Sequence, residues 1–521
     1  MKAIVSCQDV AELMASDGLF AVFDVRERGE FNQCQIPTAT SLPRSQIEFR
    51  LAQLVPDHRI SIVLYDEGDA RAPLAAATLL RLGYEQVGIL EGGLKAWQAE
   101  GRPTASGVNV PSKAFGEKIH HERSVPDLTV EELKVLKERS SNLVILDVRT
   151  PEEYGRFCIP GGINVPGGDL ILWAHELKQK NDVEVIVNCA GRTRSIIGTA
   201  ALRRLGLTHV RALRNGTMGW VLAGLELETK PGRMGTAAPE ASREQALTQA
   251  LKIATEESIS FTTVEQLGNI NIGGDPVYLI DVRSEGEYKS GHLAGSIHVP
   301  GGQAVQRADD FVAIRNARII FISDQSARAV MAAYWYRLMN FLKVSVLQGG
   351  LRAWTAAGGK LETGSGCVEL LGYEAAQKAS RSIDANDFNR QSRSVSATIL
   401  DVGSSLEFEA AHVPQAEWIS RGWLDLELPE QFPDRNQPIF LTCPDGRSSV
   451  LAAQTLADLG YVDVAVLNGG VQAWLAAGLP VDKGLDACLV EPNDVVLSPS
   501  IRGNKEDMLR YLEWETKLPR T

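Results

Sequence analysis

The chain has 521 residues, too many for one ordinary core, and at roughly 100–200 residues per domain it is expected to hold about three to five. Hydrophobic residues make up 44% and charged residues 23%, the balance of a soluble globular protein and not of a fibrous or disordered one. Lysine and arginine total 53 against 65 acidic residues, a net charge of −12 that argues against a nucleic-acid surface, and no apolar run approaches the roughly 18 residues of a membrane span.

At the N-terminus, Gln8, Asp9, Glu12 and Asp17 interrupt the stretch that a secretory leader would keep apolar, so a cytoplasmic location is expected. The seven cysteines, at 7, 34, 158, 189, 367, 443 and 488, include no C-x-x-C pair. Free thiols are therefore expected in place of a disulfide framework or zinc site. His120, His121 and His175 show no ligand spacing with them.

Four repeats follow one another. An apolar run ending in Asp-Val recurs as AVFDVRERGEF, VILDVRTPEEY, YLIDVRSEGEY and TILDVGSSLEF, placing Asp24, Asp147, Asp281 and Asp401 at steps of 123, 134 and 120 residues. Each unit closes on LEGGLKAW, LRNGTMGW, LQGGLRAW or LNGGVQAW, with Trp97, Trp220, Trp354 and Trp474 at the same steps. Between these ends, strand-like ISIVLY, VEVIVNC, RIIFIS and QPIFLTC alternate with helical patterns such as SIIGTAALRRLG. That alternation predicts an α/β fold, with a small parallel sheet covered by helices on both faces in every unit. Gly83, Gly206, Asn340 and Gly460 are expected to end the helix that follows the central strand. The tryptophans are expected in the core. Arg149 with Glu153, and Arg26 with Glu30, are expected to form ion pairs at the strand ends.

Periodicity lapses at about 103–125, 229–258 and 362–382, which reads as linkers. The resulting domains are 1–105, 126–230, 258–362 and 383–484, with a C-terminal tail 485–521. Within the tail, KEDMLRYLEWETK is expected to form a short amphipathic helix that packs on the body, and the tail can also support a homodimer.

A cysteine loop opens the helix of the second unit as Cys189-Ala190-Gly191-Arg192-Thr193-Arg194-Ser195. The cysteine ends an apolar strand and the helix begins at Ser195, so the intervening backbone must curl with several N–H groups inward, an anion cradle. Gly191 gives the tight loop its backbone freedom. Arg192 and Arg194 add positive charge, and together these features are expected to pull the thiol below its free value of about 8.5, making a thiolate at neutral pH.

Taken together, the DVR strand end, the E-[FY]-x-x-G-H-like segment, the cysteine loop and the GG-x-x-AW close resemble the rhodanese family, over nearly the whole chain. The resemblance implies four tandem rhodanese-like domains and a thiosulfate sulfurtransferase activity. A Cys189 thiolate would take sulfur from thiosulfate or a similar small anionic donor as a persulfide and pass it to cyanide or a thiol. Ala190, Gly191, Arg192, Thr193, Arg194 and Ser195 would bind the donor, and no metal or organic cofactor is required. In the fourth unit Cys443, with Gly446, Arg447 and Ser448, forms a second such loop. Its Asp445 partly offsets the charge of Arg447, and Gly403 replaces the strand-end arginine, so a different donor preference is expected, with Cys189, in the best-formed loop, carrying most of the thiosulfate-dependent activity. Units one and three carry Asp66 and Asp324 where the sulfur should stand, which makes them structural or regulatory, the carboxylate itself occupying the cradle. Cys158 stands where relatives carry the histidine of G-H, and ordinary packing is expected there. Cys34 receives no catalytic role, and His292 and His412 are expected to support the fold. The order inactive, active, inactive, active looks like two copies of a two-domain rhodanese, predicting docked pairs 1–230 and 258–484 joined by a flexible linker. The competing readings are a non-catalytic scaffold and a cysteine phosphatase or arsenate reductase. Related phosphatases carry a seven-residue loop, whereas Cys189 to Arg194 spans six.

Overall fold

The computed structural model describes residues 3–139, 142–180, 183–235, 237–270, 275–366, 369–394, 397–502 and 504–519. Cys367 lies outside the described residues. Each repeat is a five-stranded, all-parallel sheet with one strand order. In the second repeat the order across the sheet is Asp127–Leu128, Val210–Leu213, Glu184–Asn188, Leu143–Asp147 and Ile163–Asn164. Val185 stands opposite both Val144 and Val210. The central strand is buried almost throughout, as a parallel sheet covered on both faces requires, which is why it reads as an unbroken apolar run. The four helix ends carry positive φ at Gly83, Gly206, Asn340 and Gly460, as expected.

The helix after each Asp-Val strand opens on a reciprocal cap. Thr150 accepts from the Glu153 N–H while the Glu153 carboxylate accepts from the Thr150 N–H, and Ser284 with Glu287 and Ser404 with Glu407 repeat the arrangement. At the far end of each repeat the Trp indole buries its ring and donates to a carbonyl six residues on, Glu226 O at 2.9 Å for Trp220. Trp354 is the least enclosed of the four.

The domain pairing differs from the expected one. The described chain divides into two compact units, one holding 1–108, 313–315 and 368–496, the other 109–312, 316–367 and 497–521. Repeats one and four thus share a unit, and repeats two and three share the other. The middle linker is a 17-residue helix, Glu240–Glu256, which packs on Leu170–Gln179 of repeat two and Ala327–Leu338 of repeat three, so it fastens where a flexible tether was expected. The contact between repeats two and three also uses their Val-Pro-Gly-Gly turns, since a Cβ on Gly168 would come within 2.9 Å of Gly301 Cα. In the first unit the equivalent turns carry arginines, and the contact is reciprocal. Arg44 pairs with Asp425, and Arg421 with Glu48. Glu27 adds a buried carboxylate that accepts from Ser420 at 2.7 Å. Burial pushes it up to about 7, with Ser420 opposing and Asp494 and Glu30 adding to the rise.

Among the described residues no helix is long and apolar enough to cross a membrane, and no group of three metal-ligating side chains occurs.

Candidate active site

Strand Glu184–Asn188 delivers Cys189 to the start of helix Thr193–Arg204. The curl between them is held from outside by the Asn215-Gly216 turn. Thr217 N–H donates to Cys189 O at 2.9 Å and Met218 N–H to Ala190 O at 3.0 Å. Gly216 adopts φ 51°, and a Cβ there would fall 2.1 Å from Cys189 O, so this glycine is required by the loop. Gly93, Gly350 and Gly470 repeat that approach. Sequence reasoning tied this motif to its tryptophan alone. Its constancy across four repeats was the available signal that it grips the loop.

Cys189 is 2% exposed, and its Sγ–H donates to Ser195 Oγ at 3.6 Å. The thiol was expected below its ordinary value. Burial pushes it up, against the pull of the Arg194 charge and of the Ser195 hydroxyl and N–H, while Glu515 adds to the rise. The arginines do less than expected because each already has a carboxylate. Arg194 forms a two-pronged pair with Glu153 at 2.5 and 2.8 Å, and Arg192 one with Glu117 at 2.6 and 2.9 Å. Glu153 was expected on Arg149. Arg149 instead turns back on Asp147 at 2.7 Å and donates to Phe157 O, leaving Glu153 for the loop. Burial works against ionisation of Glu153, yet Arg194 holds its carboxyl down to about 2. Arg26 likewise pairs with Asp24, and Glu30 with Arg71.

Two helices outside the repeats cover the loop, one of them unexpected and the other expected but without a known place. The first linker contains helix Val110–Glu122, which brings Glu117 to Arg192 and Gly116 against Thr193. Helix Lys505–Thr516 packs on the body as expected, and the place it packs is this loop. Thr193 Oγ1 donates to Glu515 Oε1 at 2.5 Å, and Met508 and Leu512 cluster with Ala190 and Met218. Gly191 faces Glu515 and Tyr511. Nothing in the repeat pattern points to these residues, because both elements lie outside it.

The fourth loop has the same frame. Val471 N–H donates to Cys443 O at 2.9 Å, Ser449 N–H donates to Cys443 Sγ at 3.4 Å, and Ser449 Oγ lies 3.3 Å from the sulfur. Cys443 is fully buried, while the Arg447 side chain beside it is 53% exposed and paired to Asp445. Gly446 caps the helix at φ 89° and Ser448 is half-buried. Burial pushes the thiol up, Ser449 opposes it, and Asp401 and Asp445 add to the rise.

In the first repeat Asp66 fills the cradle as expected, accepting from the N–H groups of Gly68, Asp69 and Ala72 at 2.8, 3.3 and 2.7 Å. In the third repeat the register corrects the assignment. Strand Arg318–Ile322 ends one residue before Ser323, Leu351 N–H donates to Ser323 O at 2.9 Å, and Ala329 N–H reaches Ser323 Oγ. Ser323 therefore holds the cysteine position, and Asp324, one place on, pairs with Arg328 at 3.2 Å.

Cys158 is buried and donates to Ile159 O. His292 and His412 stack on Tyr288 and Phe408, and each Nδ1 bonds the backbone carbonyl of its ring partner.

The repeated sheet and the loop cradled between strand end and helix start define a class of small α/β modules, two of which carry a cysteine in the loop here. The family model for the rhodanese-like domain matches residues 6–100, 129–223, 263–357 and 384–477, and the chain belongs to that family. It is similar to the crystal structure of a thiosulfate sulfurtransferase from Pseudomonas aeruginosa, with TM-score 0.92 and 35% identity over 99% of this chain and 97% of that one. A putative thiosulfate sulfurtransferase of Mycobacterium tuberculosis is 24% identical over 43% of this chain and 96% of its own length. The 3-mercaptopyruvate sulfurtransferase of Escherichia coli is 26% identical over 35% of this chain and 73% of its own.

Proposed function

We propose that the protein is a sulfurtransferase that carries sulfane sulfur as a cysteine persulfide on Cys443 and Cys189. The thiolate attacks the outer sulfur of thiosulfate or a similar donor, the S–S bond of the donor breaks, and sulfite leaves with its electron pair. Cyanide or a thiol then attacks the terminal sulfur, and the thiolate is restored. The observation that carries this reading is the Cys443 loop, where an N–H at a helix start donates to the sulfur and Ser449 Oγ lies beside it. That geometry stabilises negative charge on a thiolate or persulfide alike. Asp66 and Ser323 leave repeats one and three without a sulfur nucleophile, so these serve as partners for repeats four and two. The names of the relatives support sulfur transfer and leave thiosulfate and mercaptopyruvate both open as donors.

Both sulfurs are buried, but the arginine beside Cys443 is exposed whereas the Cys189 loop lies under two helices, so thiosulfate turnover is assigned chiefly to Cys443, the reverse of the expectation from the sequence. Cyanide-dependent thiocyanate release is expected to fall more than about tenfold in Cys443→Ser, to change little in Cys189→Ser, and to vanish in the double variant. A double variant as active as the parent would end the assignment.

A further inference from the structure

The C-terminal helix belongs to none of the four repeats, yet it places an acidic side chain on the second loop. Asn504 caps it by accepting from the N–H groups of Glu506 and Asp507. Met508, Leu512 and Tyr511 then pack on Ala190, Met218 and Gly191. Those apolar contacts account for the seating of the helix. They do not account for Glu515, which is turned inward at 1% exposure. Its Oε1 accepts from Thr193 Oγ1, and its Oε2 has no hydrogen-bond partner among the described residues and lies 3.3 Å from where a Cβ on Gly191 would stand. A buried carboxylate oxygen without a donor weakens the fold, so stability alone does not explain the residue.

The charges around the loop are already matched. Glu153 faces Arg194 and Glu117 faces Arg192. Burial pushes the Glu515 carboxyl up, with Glu117 adding to the rise, while Lys113, whose ammonium lies over the rings of Tyr511 and Trp514 at 4.8 and 5.0 Å, opposes it together with Thr193 and Arg192. A dianion entering here would meet no unmatched cation and would add its charge to a site removed from water, which is strongly unfavourable.

We propose that Glu515 is a specificity-determining residue of the Cys189 site, its carboxylate holding the seat over the loop that an anionic donor would need. The site then discriminates against anions and favours uncharged sulfur donors and thiols. This deepens the sulfurtransferase reading and rests on it for the identity of the reaction, but its test does not require sulfur transfer.

The test uses the full chain carrying Cys443→Ser. Alkylation of Cys189 by anionic iodoacetate and by neutral iodoacetamide is followed by peptide mass spectrometry. Glu515→Gln, which keeps the shape and removes the charge, is expected to raise the iodoacetate-to-iodoacetamide rate ratio about tenfold. Leu512→Ala, which loosens the helix and keeps the carboxylate, is expected to raise both rates together and leave the ratio where it was. An unchanged ratio in Glu515→Gln overturns the proposal, as does an equal ratio shift in Leu512→Ala. Failure of both reagents to reach Cys189 in every form also overturns it, because exclusion would then be steric. A shifted ratio, beside a chain with both cysteines intact that releases no thiocyanate from thiosulfate and cyanide, would sink the sulfurtransferase reading and leave the anion discrimination standing.

Discussion

In the Cys189 loop the sixth residue is Arg194, bridged to the capping-box Glu153, and the strand behind it ends in the buried pair Asp147–Arg149. In the Cys443 loop the sixth residue is Ser448, and the strand arginine is replaced by Gly403. The vacated space is taken by a proline ring, since a Cβ on Gly403 would come within 2.6 Å of Pro444 Cδ. The backbone is indifferent to these exchanges. Both cysteines offer their carbonyl to the glycine turn at 2.9 Å, and both sulfurs face the serine six residues on. The difference teaches that the arginines tune the charge on a frame built by the glycine pair and the helix start. Loss of one arginine leaves Asp401 as a buried acid, which burial pushes up to about 7 against the pull of the Gly403 N–H.

The largest effect that can break this comparison is on stability. Asp147→Ala leaves the buried Arg149 without its carboxylate and is expected to cost about 3–5 kcal/mol, read as a fall in the urea midpoint. Asp401→Asn removes no ion pair and is expected to cost far less. It should also remove a pH dependence whose sign follows from the raised value. Between its unfolded value near 3.9 and its folded value of about 7, Asp401 keeps a proton in the native state that the unfolded chain has released, so stability falls as pH rises through that window. Midpoints at pH 4.5 and 7.5 check this, and equal penalties for the two substitutions would refute the distinction.

A smaller effect separates the loops at acid pH. Glu153, held to about 2 in the fold, contributes stability that is present above its unfolded value near 4.3 and lost as pH falls toward 2. With its side chain 31% exposed, that share is on the order of 1 kcal/mol after solvent screening. Glu153→Gln is expected to lower the midpoint at pH 6 and to lower it by roughly half as much at pH 3, where the folded carboxylate is still mostly ionised. A drop of the same size at both would show that the carboxylate charge is not what Arg194 needs.

How much of this was legible follows from where each feature sits relative to the repeat. The four sheets, the helix-ending residues at 83, 206, 340 and 460, the tryptophans, and the cradle position of Asp66 all recur at fixed steps. The pairing of the repeats was legible too, but in a segment passed over. Val-Pro-Gly-Gly occurs after the strand at 165–168 and 299–302, where two glycine turns can meet, while Arg44 and Arg421 occupy the equivalent turn of the other two repeats, each opposite an acid from its partner. Counting the same step from Cys189 would have reached Ser323, not Asp324. The partners of the loop arginines were not legible as a whole. Glu153 carries a cap signature that gives no hint of its second task, and Glu117 and Glu515 come from helices outside the repeat, where no internal comparison exists.

The smallest effect sharpens the comparison at the sulfur itself. With no loop arginine at its sixth position, Cys443 depends on Ser449 for both of the interactions that oppose its burial, a hydroxyl and an N–H. Ser449→Ala removes the hydroxyl and keeps the N–H, so the thiol is expected to rise by less than about one pKa unit, worth roughly 1.4 kcal/mol at most. The same change at Ser195 is expected to shift Cys189 less, because the Arg194 charge is the larger opposing influence there. The pH dependence of iodoacetamide alkylation, measured at Cys443 in a Cys189→Ser chain and at Cys189 in a Cys443→Ser chain, reads both. A larger shift at Cys189 than at Cys443 would mean that the arginine, neutralised by Glu153, contributes nothing to the sulfur.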